Sequence, residues 1–346
     1  MGGIFSFIHK EVQLTTPLPE SNRYLITKKP ACVVIYFRYI GTGYHGLQYN
    51  EKVRTIDSDL FEGLEKSGIL PEGSYKRRGK IAWNEASRTD AGVHACGQLI
   101  CFKSYEICDM ECSQIPELIN KNLPSDSTIK IMSCLCTNSP FPVKDFATHR
   151  KYNYLLPLHV FSSTDPDHLD YLRQKICPLF IGQHNFHNYT NGTPKTYKGA
   201  QRFITDFTFG DVFTINGEEY VLFYIRGISF MLNQIRKMIS MVTAASFNQV
   251  TPEEVSRSLT EETCRIQLLP GDGLFLDQIE YEEYMSKLKH PNPNNDIEFR
   301  AWRPVIEEWK QKVLFPHIAQ TIKKTDVFRS WQKNCLLQFP VQFVKE

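Results

Sequence analysis

Apolar positions along the chain change period several times, and each change marks a predicted element. Cys32-Val33-Val34-Ile35-Tyr36-Phe37 is a continuous β-branched and aromatic run, which reads as a buried strand. The 1–30 segment before it alternates Pro, Ser, Thr and charge without a period, so the folded part is expected to begin near residue 31. Ile56, Leu60 and Leu64 recur at i, i+4 and i+8, which predicts one apolar stripe on a short helix ending near Gly68. A basic run, Lys76-Arg77-Arg78-Gly79-Lys80, leads into 81–88. The apolar run Leu99-Ile100-Cys101-Phe102 follows a glycine-bearing loop at 90–97, and a helix over 115–122 with a strand over 129–134 completes the first half.

In the second half, Tyr152-Asn153-Tyr154-Leu155-Leu156 alternates with period 2, which puts both tyrosines on one face of a strand. Asn216-Gly217 between strand-like runs at 211–215 and 220–225 predicts a two-residue hairpin turn. A long helix is predicted over 229–246, with Met231, Ile235, Met238 and Val242 as an apolar stripe and Ser229, Asn233, Arg236 and Ser240 as a polar one. Thr251-Pro252-Glu253-Glu254 spells a capping box with proline at the first helical position, so 253–259 is read as helix. The Lys/Pro/Asn stretch 287–295 reads as a linker, and 298–333, with Trp302, Trp309 and Trp331, as an appended helical segment. The expected organisation is a flexible 1–30 segment, halves at 31–150 and 151–285, and a linker with helical extension at 286–346.

Length and composition bound the chemistry. The 346 residues allow two or three compact units and a real core. Apolar content of 42% and charged content of 23% match an ordinary globular chain. Lys and Arg number 40 against 38 Asp and Glu, so a polyanionic partner must be met by a local basic patch. None of the ten cysteines forms a C-x-x-C pair, and reduced, mostly buried thiols are expected. No window reaches the roughly 18 apolar residues of a membrane span. Met1–Lys10 is too short and weakly charged for a signal peptide. A soluble cytoplasmic or nuclear protein is expected, although Met1-Gly2-Gly3-Ile4-Phe5-Ser6 fits the permissive N-acylation pattern.

Two loops are candidate sites. Gly41-Thr42-Gly43-Tyr44-His45-Gly46 spells G-x-G-x-x-G, but the helical period starts only near Ile56, so dinucleotide binding lacks its helix N-terminus and a tight surface turn is the better reading. Ser87-Arg88-Thr89-Asp90-Ala91-Gly92-Val93-His94-Ala95 sets one Arg and one Asp among small residues between two apolar runs, where a scaffold can hold a reachable carboxylate. His184 and His187 have no evident third ligand, and no metal site is expected. Lys76–Lys80, Lys144, Arg150, Lys151, Lys195, Lys198 and Arg202 are candidate phosphate contacts.

The second loop, Arg88-Thr89-Asp90-Ala91-Gly92-Val93-His94-Ala95 with Gly97-Gln98 behind it, resembles the signature of the TruA-type tRNA pseudouridine synthases. Further blocks stand in that family's order: Gly43-Tyr44-His45-Gly46-Leu47-Gln48, Arg150-Lys151-Tyr152-Asn153-Tyr154, Ser229–Met238 and Leu269-Pro270-Gly271-Asp272-Gly273-Leu274-Phe275-Leu276. The wording of 182–189 and the tail around Pro316-His317-Ile318-Ala319 are most similar to the eukaryotic pseudouridine synthase 1 branch.

The resemblance implies an isomerisation in which the uracil of an RNA uridine leaves its sugar at N1, turns, and rejoins through C5, with no metal or redox cofactor. It implies that Asp90 is the catalytic nucleophile or base, Arg236 its ion-pairing cation and Tyr152 a tyrosine that stacks on the base. Tyr154 ranks second to Tyr152. Arg88 would fill the space left by the flipped uridine or contact a phosphate, and His94, Arg150 and Lys151 join the expected substrate-binding set. The fold implied is α+β: two α/β halves with antiparallel sheets joined into one extended mixed sheet, helices outside, and a central RNA-binding cleft. The expected partner is tRNA or other structured RNA, with no membrane, and the expected state is a monomer in nucleus or cytoplasm. Ser87, His149 and Ser240 depart from the family's usual residues without removing a reacting group. A non-catalytic RNA-binding or tRNA-chaperone protein on the same fold, and a dinucleotide oxidoreductase, are the rival readings.

Overall fold

The computed structural model describes residues 13–19, 26, 30–107, 110–137, 141–287, 296–337 and 341–344. The acylation pattern at Met1–Ser6, most of the 1–30 segment and nearly all of the 287–295 linker lie outside the described residues. In chain order the strands are β1 Ala31–Tyr39, β2 Asn84–Glu85, β3 His94–Ser104, β4 Lys130–Thr137, β5 His149–Pro157 and β6 Gly182–Asn185. They continue with β7 Gln201–Phe209, β8 Phe213–Ile215, β9 Glu218–Gly227, β10 Cys264–Arg265, β11 Leu274–Glu280 and β12 Gln342–Phe343. The helices used below are α1 Ile56–Lys66, α2 Ile115–Asn122, α3 Gln234–Ser246, α4 Pro252–Ser258, α5 Arg303–Trp309, α6 Phe315–Thr325 and α7 Val327–Trp331. The chain divides into two compact units, Met1–Thr148 with Phe275–Leu314 and His149–Leu274 with Phe315–Glu346. The architecture is mixed α/β with antiparallel pairing prominent in both units, as expected.

In the first unit the strand order is β4-β1-β3-β11, with β2 on the side of β3. β1 pairs antiparallel with both neighbours, Val33 opposite Phe102 and Val34 opposite Leu135, while β11 joins β3 in parallel. The unbroken apolar run of β1 follows from burial on both faces. On one face Tyr36 stacks on Phe299 at 4.6 Å and Arg38 lies over Trp309 at 4.4 Å. Alternation turns Val33, Ile35 and Phe37 to the other face, where they too are fully buried. The 298–333 segment thus supplies part of this unit's core, and Lys310 reaches inward to Asp277 at 3.0 Å. α1 begins where predicted because Thr55 and Ser58 exchange side-chain and backbone hydrogen bonds across its first turn.

One expectation fails in this unit. Cys112 and Cys136 are disulfide-bonded, because the turn at Cys112–Gln114 brings the two Cα atoms within 6.5 Å across 24 residues of sequence. Cys32, Cys96, Cys101, Cys134, Cys177 and Cys264 are buried free thiols.

In the second unit the order is β5-β9-β7-β6, with β8 paired to β9 and every ladder antiparallel. Asn216 and Gly217 both take left-handed backbone conformations, so Ile215 pairs with Glu218 across the predicted two-residue turn. The capping box also forms, Thr251 Oγ1 accepting from Glu254 N and Glu254 Oε2 from Thr251 N, and α4 follows. The long helix is shorter than its periodicity predicts. Asn233 is left-handed at φ 67°, and the Gln234 side chain accepts from Met231 N, so α3 starts at Gln234 and Ser229, Met231 and Asn233 precede it. Ser240 is buried rather than part of an exposed polar stripe. Among the described residues no helix is long and apolar enough to cross a membrane.

The Asp277–Lys310 pair is buried, with Arg303 a more distant second cation at 3.7 Å. Lys310→Met should therefore lower the unfolding free energy by about 3 kcal/mol, since the buried carboxylate keeps only the more distant Arg303. Urea unfolding followed by tryptophan fluorescence reads this loss, and an unchanged midpoint would show that Arg303 alone satisfies Asp277.

Candidate active site

The loop carrying Asp90 connects β2 to β3 and is fixed from several directions. Thr89, directly before the aspartate, is buried, with its Oγ1 2.7 Å from the Tyr39 hydroxyl and its carbonyl accepting from Leu47 N at 3.1 Å. On the β3 side, Gln98 is buried and its Nε2 donates to the Ser87 carbonyl at 2.7 Å. Within the loop Val93 N donates to the Asp90 carbonyl, closing a turn. The chain direction then leaves Arg88 exposed and Asp90 half-buried on either side of an anchored residue.

The glycine-rich segment at 41–46 is the loop's second support. It is a turn, Tyr44 N donating to Gly41 O, and α1 begins only at Ile56, so the helix start that dinucleotide binding requires is missing there. It departs from the surface turn expected, because the segment is packed against the Asp90 loop. Gly92 N donates to the Tyr44 carbonyl, and a Cβ on Gly41 would sit 2.1 Å from the Val93 carbonyl oxygen. Gly46 has φ +90°, and its Cβ would lie 2.9 Å from the Thr89 oxygen. Backbone can approach backbone this closely only without side chains. Tyr44 is held in turn by Asp59, which accepts its hydroxyl at 2.6 Å and is paired to Arg54 at 2.7 Å. Burial, followed by that bond to Asp59, pushes the Tyr44 hydroxyl up to about 12.

His94 is 2% exposed, and its Nδ1 accepts from Gly41 N at 3.0 Å. It therefore ties the glycine turn to the first residue of β3. Arg88, Asp90 and His94 are thus gathered on one short segment of the first unit.

The second unit gathers the other candidates. Tyr154 is fully buried, its hydroxyl donates to the Pro270 carbonyl, and burial holds it well above the ordinary phenol range. Leu155 N donates to Gly273 O at 2.9 Å, and a Cβ on Gly273 would fall 2.2 Å from the Leu155 oxygen, so the 269–273 loop lies directly on β5. Arg236, half-buried in the first turn of α3, donates through Nε to the Leu269 carbonyl at 2.7 Å and through Nη1 to Asn233 Oδ1 at 3.4 Å. Tyr152 is 7% exposed and meets Phe230 edge to face at 5.5 Å. At the start of β5, Arg150 donates to the Ile228 carbonyl at 2.8 Å, and Lys151 pairs in register with Arg226. His184 donates from Nε2 to the Ile181 carbonyl at 2.9 Å, and His187 is buried beside Asn185.

Sequence reasoning missed Tyr39, Thr89, Gln98 and Asn233 as supports. The first three are partners that only strand pairing brings together, and Asn233 looked like a helical residue because its polarity suited the stripe.

The comparisons bear on this geometry. The sequence profile of the tRNA pseudouridine synthase family matches residues 176–282, which include α3, Arg236 and the 269–273 loop. The human pseudouridylate synthase 1 homolog is 30% identical over 312 residues, covering 86% of this chain and 71% of the relative. The tRNA pseudouridine synthase 1 of Yarrowia lipolytica is 27% identical over 395 residues, covering 88% and 73%. The tRNA pseudouridine synthase A of Methanosphaera stadtmanae is 28% identical over 285 residues, covering 81% of this chain and 95% of its own. The chain belongs to the TruA-type tRNA pseudouridine synthase family. Its eukaryotic relatives carry the pseudouridine synthase 1 name, the branch its own motifs resemble.

Gly46 and Gly68 both have positive φ, but only Gly46 faces backbone where a Cβ would go. Gly68→Ala should cost about 1 kcal/mol of stability through φ alone. Gly46→Ala should cost more and also speed amide exchange across 89–93, measured by hydrogen exchange; equal effects of the two substitutions would refute the bracing role.

Proposed function

We propose that the chain isomerises uridines of tRNA to pseudouridine, with Asp90 as nucleophile or base. The observation that carries the reading is a half-buried carboxylate fixed on an over-determined loop, Thr89 anchored behind it and the glycine turn beneath it. The reaction balances without an external reactant: the N1–C1′ bond breaks, a C5–C1′ bond forms, C5 gives up a proton and N1 gains one. A carboxylate serves it only when ionised, which partial exposure favours over full burial.

Arg236 is the proposed cation for the ionised carboxylate. Its guanidinium is aimed by two acceptors, the Leu269 carbonyl and Asn233, rather than left to wander on a solvated face. Between the tyrosines, the observations favour Tyr152 as the base-stacking residue, since Tyr154 is fully buried with its hydroxyl committed to Pro270. Arg88, exposed beside Asp90, is the side chain proposed to occupy the gap left by an extruded uridine, at a site where flipping costs a few kcal/mol. His94 is assigned the positioning of the glycine turn, and Arg150 and Lys151 phosphate contacts. The same reading makes the working species a monomer in the nucleus or cytoplasm. The relatives' names lend nothing to the non-catalytic alternative.

The test is incubation of the purified chain with unmodified tRNA transcripts, followed by mapping pseudouridine at each position. Wild type should form it, and Asp90→Ala should lose about 10³-fold or more in rate with tRNA affinity nearly unchanged. Tyr152→Phe keeps the ring and should retain binding, so a rate loss there isolates the hydroxyl's part. If Asp90→Ala still forms pseudouridine, Asp90 has no catalytic role.

A further inference from the structure

The first unit holds a concavity of about 440 Å³, lined by Tyr49, Glu51, Tyr75, Lys76, Arg78 and Gly79. Its wall is a layered stack. Tyr49 and Tyr75 lie 4.7 Å apart and 24° from parallel, with the Arg78 guanidinium 5.4 Å over Tyr49 and the Lys76 ammonium 5.4 Å over Tyr75. Phe61, buried in α1, meets Tyr49 edge-on at 6.1 Å and Tyr75 at 6.5 Å, so the stack stands on the core. The turn carrying Tyr75 and Lys76 is pinned by Ser74 N donating to Glu65 Oε1 at 2.9 Å and by Lys76 N donating to Gly73 O. Four cations fall within Lys76–Lys80, and Glu51 is the single carboxylate in the lining. The concavity is also coupled to the active loop, since Tyr49 lies two residues beyond Leu47, whose N–H holds the Thr89 carbonyl.

We propose that this concavity binds a nucleotide of the RNA substrate outside the reacting uridine, its phosphate on Lys76 and Arg78 and its base or ribose against the tyrosine pair. The proposal rests on the reading of the chain as a tRNA-acting enzyme and adds an anchoring subsite to it. Cations set over aromatic rings lose little freedom when they meet a phosphate, and aromatic faces and edges accept any base. The lining has the mixed cationic and aromatic character of a sequence-tolerant nucleic-acid contact, rather than the apolar walls of a small-molecule cavity. Tyr49 puts the contact on the chain segment whose Leu47 N–H holds the Thr89 carbonyl beside Asp90.

The experiment measures affinity of the full chain for an unmodified tRNA transcript at several salt concentrations, together with kcat and KM for pseudouridine formation. Lys76→Glu, at an exposed side chain, should weaken binding about tenfold and lower the salt slope by about one. Tyr75→Leu should weaken binding about fivefold without changing the salt slope, because it removes stacking and no charge. Both should raise KM with kcat within about twofold, the signature of lost uniform binding. Lys121→Glu, an equal charge change on an exposed residue of α2, is the control and should bind like wild type. The proposal is overturned if Lys76→Glu and Lys121→Glu weaken binding equally, or if a folded Tyr75→Leu binds like wild type. Affinity is read apart from turnover, so a wild type that binds tRNA through this subsite yet forms no pseudouridine removes the activity and not the subsite.

Discussion

The close backbone packing of the 41–46 turn on the 89–93 loop is the constraint on which the placement of Asp90 depends. Two main-chain segments that touch have no side chains with which to adjust their separation, so the distance is set by van der Waals contact and a few hydrogen bonds. Here the contacts are Gly41 on Val93 and Gly46 on Thr89, with Leu47 N, Gly92 N and the His94 ring adding directional bonds. The turn is not floating. Gly46 and Leu47 carbonyls accept from Ile56 and Asp57 at the first turn of α1, and Tyr44 is clamped by Asp59 and Arg54. The position of the Asp90 carboxylate is thereby referred to a helix start and, through β3, to the middle of a buried sheet.

The second unit reaches precision by the same means with different residues. The 269–273 loop rests on β5 at Gly273, and its Leu269 carbonyl then lies where the Arg236 Nε can reach it. A guanidinium has a rigid planar fork, so one good acceptor and a second polar contact fix its plane as well as its place. The left-handed Asn233 matters here twice: it delays α3 so that Arg236 falls in the first turn, and it supplies the second acceptor. A helix running unbroken from 229 would carry Arg236 deep in a regular segment with neither feature.

Periodicity revealed what depends on near neighbours. The α1 stripe, the β1 run, the Asn216-Gly217 hairpin and the Thr251 capping box all formed, because each is decided by a few consecutive residues. Contacts between residues far apart in sequence were illegible. Nothing in Tyr39 or Gln98 announces that strand pairing will set them beside Thr89 and Ser87, and nothing in Cys112 and Cys136 announces a bond. The burial of the glycine turn was hidden for the same reason, since close approach has a partner that lies elsewhere in the chain. The candidate residues themselves were legible only through the ordered motifs of a family. Physical pattern alone left Arg236 on what looked like a solvated stripe.

Charge placement then resolves how a chain with a net charge of only +2 can meet a polyanion. The field that matters is local, and in the first unit it is shaped by what is neutral as much as by what is charged. Lys76, Arg77, Arg78 and Lys80 lie on one turn and Arg88 on the Asp90 loop, while Asp57 and Glu85 form a close carboxyl pair. Burial first, and then the neighbouring Glu85, push the Asp57 carboxyl well above the usual range, which favours a proton on that side chain. The pair's remaining oxygens still accept from Tyr49 N, Gln48 Nε2 and Trp83 Nε1, which keeps the pair useful as a brace between the aromatic stack and β2. The same two groups thus tie the aromatic stack to β2 from behind, so the cationic turn and the stack are held on one frame.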